Sequence, residues 1–210
     1  MREFCWTCHR SVAACFCALT RPFESAIDFA LIVHPYEAKA TIGTAWILRR
    51  SISNIKWFRS KGCDLDQNAC FLETLNAQNR VPFLLFPGSN AFNLSQDSAE
   101  TWSKLVPSTK RPLFIIVDGT WTQAKGMVRK SRVLSSLPRV SFETSQPSQY
   151  EFKKQPRPSC LSSVESVHRV IEVMCSRSWA MRPASNEHDQ MISIFRNMVR
   201  FQLQYIPKIL

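Results

Sequence analysis

An apolar run at residues 113–117, Leu-Phe-Ile-Ile-Val, constrains the fold of this chain more than any other feature. A continuous run of this kind predicts a strand covered on both faces, as the strands of parallel sheets are. Asp118 and Gly119 follow it as a turn pair, and residues 120–132 favour a helix. Asp118 and Thr120 therefore mark the point where a strand ends and a helix begins, the edge at which open α/β sheets bind ligands. Helix capping by either side chain is the structural alternative.

Three further segments predict strands of the same sheet. Residues 27–33 and 137–142 are short candidate strands, and the candidate strand at residues 81–88 closes in a Pro-Gly turn. Helical periodicity is present in residues 36–50, and further helices are predicted at residues 65–75, 163–175 and 187–204. Strands that alternate with helices in this way are typical of an α/β domain with a central, mostly parallel sheet.

The composition fits one such domain with a small appendage. The chain has 210 residues, of which 45% are hydrophobic, enough for a sizeable core. No apolar run in the sequence approaches the length of a membrane span, and the first twenty residues are interrupted by His9, Arg10 and other polar residues, unlike a signal peptide. We therefore expect a cytoplasmic protein that does not associate with a membrane.

The charge of the chain favours an anionic partner, and nucleic acid first. The formal net charge is +11 at pH 7. Residues 120–160 hold eight Lys and Arg residues against two Glu residues. A basic surface beside the predicted ligand-binding edge would hold a phosphate backbone close to it. The basic residues of this region are Lys125, Arg129, Lys130, Arg132, Arg139, Lys153, Lys154 and Arg157.

Half of the eight cysteines lie close to the N-terminus, as Cys5, Cys8, Cys15 and Cys17. Four thiolates can close a tetrahedral zinc site, and a C-x-x-C pair chelates from one tight turn. His9 could replace one thiolate. Disulfides are disfavoured inside cells, and a redox C-x-x-C would need a βαβ context that this segment lacks. The spacing therefore favours structural zinc, in a segment of residues 1–22.

Residues 143–160 are rich in Ser, Gln, Pro and Lys, and a linker is the simplest interpretation. Tyr150 and Phe152 stand beside two lysines, which also suits base stacking next to phosphate contacts. The next residues, from Ser162, form a capping-box pattern in which Glu165 satisfies backbone N–H groups or points into the ligand-binding crevice. The sequence contains no P-loop and no G-x-G-x-x-G, and only five glycines, so a nucleotide-like ligand would be held by strand-end loops.

The segment Asp118-Gly119-Thr120-Trp121 resembles the D-x-T-W signature of the DTW-domain proteins. Five supporting motifs follow in family order along nearly the whole chain: the cysteine cluster, His34-Pro35-Tyr36-Glu37, Leu85-Phe86-Pro87, Tyr150-Glu151-Phe152-Lys153-Lys154-Gln155-Pro156 and Leu161-Ser162-Ser163-Val164-Glu165. Two positions depart mildly from the family pattern, which often has Arg-Lys at 153–154 and Ser-Thr at 162–163. The chain is thus similar to the bacterial tRNA-uridine aminocarboxypropyltransferases of this family.

This resemblance implies a single SPOUT-like α/β catalytic domain over residues 23–210, for which a knotted chain is one open alternative. It also implies transfer of the 3-amino-3-carboxypropyl group from S-adenosylmethionine to N3 of a tRNA uridine, with release of methylthioadenosine. Asp118, with Thr120 and Trp121, would form the catalytic set. Asp118 would take the N3 proton or, alternatively, hold the amino group of the cofactor.

The resemblance also assigns binding roles. The residues that would bind S-adenosylmethionine are Leu85, Phe86, Pro87, Asp118, Gly119, Thr120, Trp121, Ser162, Ser163 and Glu165. The residues that would contact tRNA phosphates are Arg129, Lys130, Lys153, Lys154 and Arg157.

Two other functions stay open at this point. A SPOUT-like RNA methyltransferase would use the same cofactor but transfer its methyl group. A non-catalytic RNA-binding zinc protein would use the basic surface alone. The oligomeric state is also left open, a monomer included.

Overall fold

The computed structural model describes residues 3–40, 43–151 and 160–205, apart from the side chain of Ser185. In chain order the strands are β1 (Phe4–Cys5), β2 (Arg10–Ser11), β3 (Asp28–Val33), β4 (Lys56–Arg59), β5 (Arg80–Leu85), β6 (Phe92–Asn93), β7 (Arg111–Asp118) and β8 (Arg139–Ser141). The helices are α1 (Pro35–Lys39), α2 (Ala45–Ser51), α3 (Ala69–Asn76), α4 (Ala99–Leu105), α5 (Trp121–Lys130), α6 (Arg132–Ser136), α7 (Ser163–Ser176) and α8 (Asp189–Leu203). Short 3-10 helices lie at Val12–Ala14, Cys17–Leu19, Cys63–Gln67 and Ala184–Asn186.

Strand β7, which contains the long apolar run, lies inside a six-stranded sheet with the order β4-β3-β7-β5-β8-β6. Every neighbouring pair in this sheet is parallel. Val33, the last residue of β3, is paired in register with Asp118, the last residue of β7. The carboxyl ends of the strands therefore meet along one edge, as the sequence predicts for a parallel sheet.

Helices cover both faces of this sheet. Phe114 and Ile116 of β7 belong to a core shared with helices α2, α7 and α8. Leu113 and Ile115 point to the opposite face and pack with helices α3, α5 and α6. Alternate side chains of one strand are buried on both sides, which explains why β7 reads as a continuous apolar run. The α/β class and the central parallel sheet are thus confirmed.

The structure differs from the sequence-based elements in several places, among them helix α6 and the short strands β1 and β2, which were not predicted. The helix predicted at residues 36–50 is divided into α1 and α2, because Ala40 takes an extended conformation that ends α1. Strands β4 and β6 were not predicted. Both lie at the edges of the sheet, where only one neighbouring strand pairs with them and polar residues are tolerated.

The N-terminal cysteine-rich segment packs onto the same core. Its strands β1 and β2 form a separate antiparallel pair, while Cys8 and Phe16 are buried against the main body. Arg10 is 3% exposed and donates hydrogen bonds to the carbonyl of Gly43 and to the sulfur of Met198. These contacts fix the position of the segment relative to the sheet.

The two C-terminal helices are amphipathic and pack against the body. Val164, Val167, Ile171 and Met174 form the buried stripe of α7 that the sequence predicts. Helix α8 buries its apolar face and leaves polar residues on the outside. Among the helices of the described ranges, none combines the length and the apolar character that crossing a bilayer requires.

Candidate active site

A cleft of about 1080 Å³ opens at the carboxyl edge of the sheet, where β5, β7 and β8 end. Its position is the one at which open parallel sheets bind ligands. Nine residues predicted from the sequence line it together: Leu85, Phe86, Pro87, Asp118, Gly119, Thr120, Trp121, Ser162 and Ser163. The structure adds residues to which the sequence assigns no role in this site, among them Thr44, Lys125, Phe142, Tyr150 and Ser166.

Asp118 ends strand β7 inside the cleft and is 3% exposed. Its backbone carbonyl accepts a hydrogen bond from the N–H of His34 at 2.9 Å. The hydroxyl of Thr44 donates to Asp118 Oδ2 at 3.2 Å. The carboxylate is therefore held in a defined orientation by neighbouring elements.

Negative charge in this part of the cleft acts on Tyr150, which is 4% exposed. Burial raises the pKa of the Tyr150 phenol, and the charges of Asp118 and Glu37 raise it further. The ring of Tyr150 packs edge-to-face against Phe195, with ring centroids 5.2 Å apart. This buried position differs from the exposed stacking position that the sequence pattern suggests.

The turn from β7 into α5 is built by a capping box. Thr120 Oγ1 accepts from the N–H of Gln123 at 3.3 Å, and Gln123 Oε1 accepts from the N–H of Thr120 at 2.8 Å. A Cβ atom at Gly119 would lie 3.1 Å from Gln123 Cβ, so glycine suits this tight turn. The capping alternative for Thr120 is thus confirmed, although the residue also lines the cleft.

Aromatic and apolar side chains form one wall of the cleft. Phe86 and Trp121 lie with ring centroids 5.9 Å apart at an angle of 53°. The guanidinium of Arg139 lies 5.7 Å from the Phe86 ring centroid. Leu85 and Phe142 extend the apolar surface. A planar aromatic group would find both stacking surfaces and apolar contacts here.

The start of α7 contributes polar side chains to the same cleft. Ser162 caps this helix, and Ser163 and Ser166 also line the cleft. The N-terminus of α5 faces the same space. Unsatisfied N–H groups and the helix dipole make such ends favourable for anionic groups.

Glu165, by contrast, is not among the residues that line the cleft. Its carboxylate accepts hydrogen bonds from the N–H of Ser162 at 2.8 Å, from Ser148 Oγ at 2.7 Å and from the N–H of Gln149 at 2.6 Å. Of the two roles that the sequence leaves open for Glu165, the structure shows the satisfaction of backbone N–H groups. Glu165 thereby joins the start of α7 to the loop that carries Tyr150.

The predicted RNA-contacting residues fall into two groups. Arg129 and Lys130 are exposed in the last turn of α5. Lys153, Lys154 and Arg157 lie outside the described residues.

Cys5, Cys8, Cys15 and Cys17 have sulfur atoms that all lie within 4.8 Å of one another. Two of the separations are 3.9 Å, between Cys5 and Cys17, and 3.8 Å, between Cys8 and Cys15. Tetrahedral zinc with Zn–S bonds of about 2.3 Å requires sulfur atoms about 3.8 Å apart. Backbone hydrogen bonds at Cys8 and Thr7 lower the pKa of Cys5 to about 6, whereas burial raises the pKa of Cys8 and of Cys17, so the match to zinc rests on the sulfur geometry. The four cysteines therefore fit a zinc ion.

The alternative ligand considered from the sequence, His9, is not part of this group. Its ring packs on Trp46, with centroids 4.3 Å apart.

A second group of polar side chains joins α7 to the start of α8. His168 Nε2 lies 2.7 Å from Asp189 Oδ1, and His188 Nε2 lies 2.6 Å from Glu172 Oε1. Arg182 also donates to Glu172 Oε1 at 2.6 Å. These hydrogen bonds form two separate sets, one between His168 and Asp189 and one that joins Glu172 to His188 and Arg182, and the two histidine rings stack with centroids 5.2 Å apart.

Comparison with known proteins matches a family model, the DTW domain, to residues 2–203. The chain is 26% identical to tRNA-uridine aminocarboxypropyltransferase 2 of Mus musculus, in an alignment that covers 87% of this chain and 61% of that protein. It is 28% identical to tRNA-uridine aminocarboxypropyltransferase 2 of Drosophila melanogaster, over 84% of this chain and 68% of that protein. It is 25% identical to tRNA-uridine aminocarboxypropyltransferase A of Arabidopsis thaliana, over 98% of this chain and 83% of that protein. The chain thus spans less than two thirds of the mouse protein. These relatives come from animals and a plant, so they support the family expected from the sequence but not its bacterial members in particular.

No solved structure matches the chain significantly. The family model, in contrast, covers nearly the whole chain and includes the cysteine cluster and every described residue of the cleft. This chain belongs to the DTW-domain family.

Proposed function

We propose that this chain transfers the 3-amino-3-carboxypropyl group of S-adenosylmethionine to N3 of a uridine in tRNA. The observation that carries the proposal is the cleft in which the D-x-T-W residues, with the buried carboxylate of Asp118, share one lining with aromatic side chains and two helix N-termini. The names of the three relatives support the same reaction.

The residues of the cleft suit the chemical groups of S-adenosylmethionine. Phe86 and Trp121 offer flat surfaces to the adenine, and Leu85 and Pro87 extend this side. The start of α7, at Ser162 and Ser163, suits the carboxylate of the amino acid tail. Asp118 and Glu37 supply negative charge for the cationic groups. A volume of about 1080 Å³ leaves room for a nucleoside beside the cofactor.

S-adenosylmethionine supplies a sulfonium leaving group, which already activates the carbon that is attacked. The protein must then orient the aminocarboxypropyl carbon, not the methyl carbon, toward the uridine, because orientation decides the product. Asp118 takes the proton from uridine N3 as the N3–C bond forms. The electrons of the breaking C–S bond pass to sulfur, and neutral methylthioadenosine leaves.

The rest of the chain would position the tRNA. Residues 1–22 form a segment held by structural zinc, and residues 23–210 form the catalytic domain. Arg129, Lys130, Lys153, Lys154 and Arg157 would contact phosphates near the cleft.

The test is a nucleoside analysis. Purified protein is incubated with unmodified tRNA transcripts and S-adenosylmethionine, and the digested nucleosides are examined by mass spectrometry. We expect a uridine heavier by one aminocarboxypropyl group and an equal amount of methylthioadenosine. A methylated nucleoside would instead identify a methyltransferase. RNA binding without cofactor binding would identify a binding protein.

A further inference from the structure

A second depression, of about 440 Å³, lies between the cysteine-rich segment and the sheet. We call it the knuckle groove. Of the described residues that line it, none is acidic, and three carry a permanent positive charge. The lining residues are Phe4, His9, Ala38, Lys39, Trp46, Arg49, Trp57 and Arg59.

Aromatic rings form a connected series along this groove. Trp46 lies 4.3 Å from the His9 ring and 5.2 Å from the Trp57 ring, measured between centroids. The guanidinium of Arg49 lies 5.1 Å from the centroid of Trp46 and 4.8 Å from that of Trp57. At the outer end, Phe4 contacts Trp6 with centroids 5.3 Å apart.

Packing explains the inner rings but not the outer ones. Trp46 donates its indole N–H to the carbonyl of Ala38 at 3.2 Å, so it has a structural role. Trp6, however, which contacts the groove residue Phe4, is 83% exposed. Large aromatic side chains that project into solvent beside several cations are typical of surfaces on which nucleic acid bases stack.

The knuckle groove lies next to the cleft. Helix α1 contributes Glu37 to the cleft and Lys39 to the groove. Strand β4, which ends at Arg59, is parallel to β3, which ends beside Asp118. Both sites therefore open at the same edge of the sheet, and an extended strand of nucleic acid could contact both.

We propose that the knuckle groove binds single-stranded nucleotides that flank the target uridine of the RNA substrate. Their bases stack on the outer aromatic side chains, Trp6 above all, and their phosphates contact Lys39, Arg49 and Arg59. This inference rests on the proposed function, since it takes RNA as the substrate. Rings and cations, with no acidic group among the described lining residues, favour RNA over an acidic peptide, for which exposed stacking surfaces would have no use.

The test compares two groove variants with a control of similar exposure. Trp6→Ala removes a stacking surface, and Arg59→Ala removes a phosphate contact from outside the cysteine segment. Lys104→Ala serves as control, because Lys104 is exposed on α4, a helix whose Trp102 packs against Phe92 at the opposite edge of the sheet. Binding of a short fluorescein-labelled single-stranded oligoribonucleotide and of unmodified tRNA transcripts is measured by fluorescence anisotropy, and the transfer kinetics are measured in parallel.

We expect Trp6→Ala to weaken RNA binding and to raise KM for tRNA about tenfold, with kcat nearly unchanged. Arg59→Ala should also weaken RNA binding. It should reduce the number of counterions released on binding, read from the slope of log affinity against log salt concentration, by about one. Lys104→Ala should match the wild type. Zinc content and the unfolding midpoint show whether the Trp6→Ala variant keeps its fold. If that variant is unfolded, the RNA binding and KM of Arg59→Ala test the inference.

Wild-type binding and KM in both folded groove variants would overturn the inference while leaving the proposed function intact. If the groove variants bind RNA more weakly but the wild-type protein transfers no group to any tRNA, the groove's role in RNA binding stands and the proposed function is overturned. Tight binding of an acidic peptide that the groove variants abolish, with RNA binding unaffected, would identify a protein partner and also overturn the inference.

Discussion

The hydroxyl of Thr44 donates to Oδ2 of Asp118 across 3.2 Å, between two side chains that are 6% and 3% exposed. Thr44 stands directly before helix α2, yet its side chain makes no capping hydrogen bond to that helix. Its hydroxyl instead reaches the end of β7. The bond therefore serves the orientation of a carboxylate in the cleft more than the start of a helix.

Asp118→Asn should lower the rate of aminocarboxypropyl transfer at least about 100-fold, because an amide cannot accept the N3 proton. The shape of the side chain is nearly preserved, so the protein should remain folded. Transfer is measured by release of methylthioadenosine, and folding by circular dichroism. A folded Asp118→Asn variant with wild-type activity would remove Asp118 from the mechanism. If Asp118 holds the cofactor instead, binding of S-adenosylmethionine will fall along with the rate.

Thr44→Val should lower kcat by about fivefold, which corresponds to the loss of one hydrogen bond worth roughly 1 kcal/mol. Thr44→Ser is the matched control, because it keeps the hydroxyl, and it should recover most of the activity. Both variants are compared by kcat, by KM for S-adenosylmethionine and by unfolding midpoint. Equal activity in the valine and serine variants would show that the hydroxyl does not position Asp118.

Zinc content provides an independent test of the N-terminal segment. Purified protein should contain about one zinc per chain, bound by four thiolates. Cys5→Ser combined with Cys8→Ser should lose it and expose the segment to proteolysis. Cys63→Ser combined with Cys70→Ser is the control, since both residues are exposed cysteines away from the cluster. Metal is measured by inductively coupled plasma mass spectrometry, and full zinc content in the first double variant would contradict the assignment.

The position of the cleft could be predicted from the sequence because it depends on local patterns. The apolar run ending in Asp118 specifies a buried strand and its carboxyl end, and Ser162 specifies the start of a helix. Both features are read from neighbouring residues. Their meeting in one cleft follows from the parallel sheet, which the alternation of strands and helices indicates.

Contacts between distant segments could not be predicted in the same way. The bond from Thr44 to Asp118 joins residues 74 positions apart, and no local pattern signals it. Asp66 likewise caps helix α6 from another part of the chain, accepting from Ser131 Oγ at 2.6 Å and from the N–H of Val133 at 3.1 Å. Edge strand β4 was missed because two of its four residues are exposed and charged.

The pH dependence of stability should reflect His168. Burial lowers the pKa of this imidazole below its ordinary value of 6.5; the hydrogen bond to Asp189 opposes this shift, and the charge of His188 adds to it. The unfolded chain therefore binds a proton more readily than the folded one, so the free energy of unfolding falls as the pH drops through 6.5. His34, whose pKa burial also lowers, contributes in the same direction.

We expect His168→Gln to lose less stability than the wild type between about pH 7.5 and about pH 5.5, where a histidine of ordinary pKa takes up its proton. Urea unfolding midpoints at both pH values measure the difference. His34→Gln, as a parallel variant, should likewise lose less stability than the wild type over this pH range. An unchanged pH dependence in His168→Gln would show that this histidine titrates alike in the folded and unfolded states.

Two glycines on neighbouring elements should respond to alanine in opposite directions. Gly62 has a φ of +113°, and a Cβ there would lie 2.5 Å from the backbone oxygen of Met127. Gly62→Ala should therefore lower the free energy of unfolding by about 1–3 kcal/mol, because the alanine would strain the backbone and clash with the main chain of α5.

Gly126 lies inside helix α5, and among the described residues a Cβ there meets nothing within 4 Å. Gly126→Ala should stabilise the protein by about 0.5–1 kcal/mol through its helix propensity. Urea unfolding measures both changes. A neutral Gly62→Ala would contradict the close contact between the Gly62 turn and α5, and a destabilised Gly126→Ala would contradict the open space around Gly126.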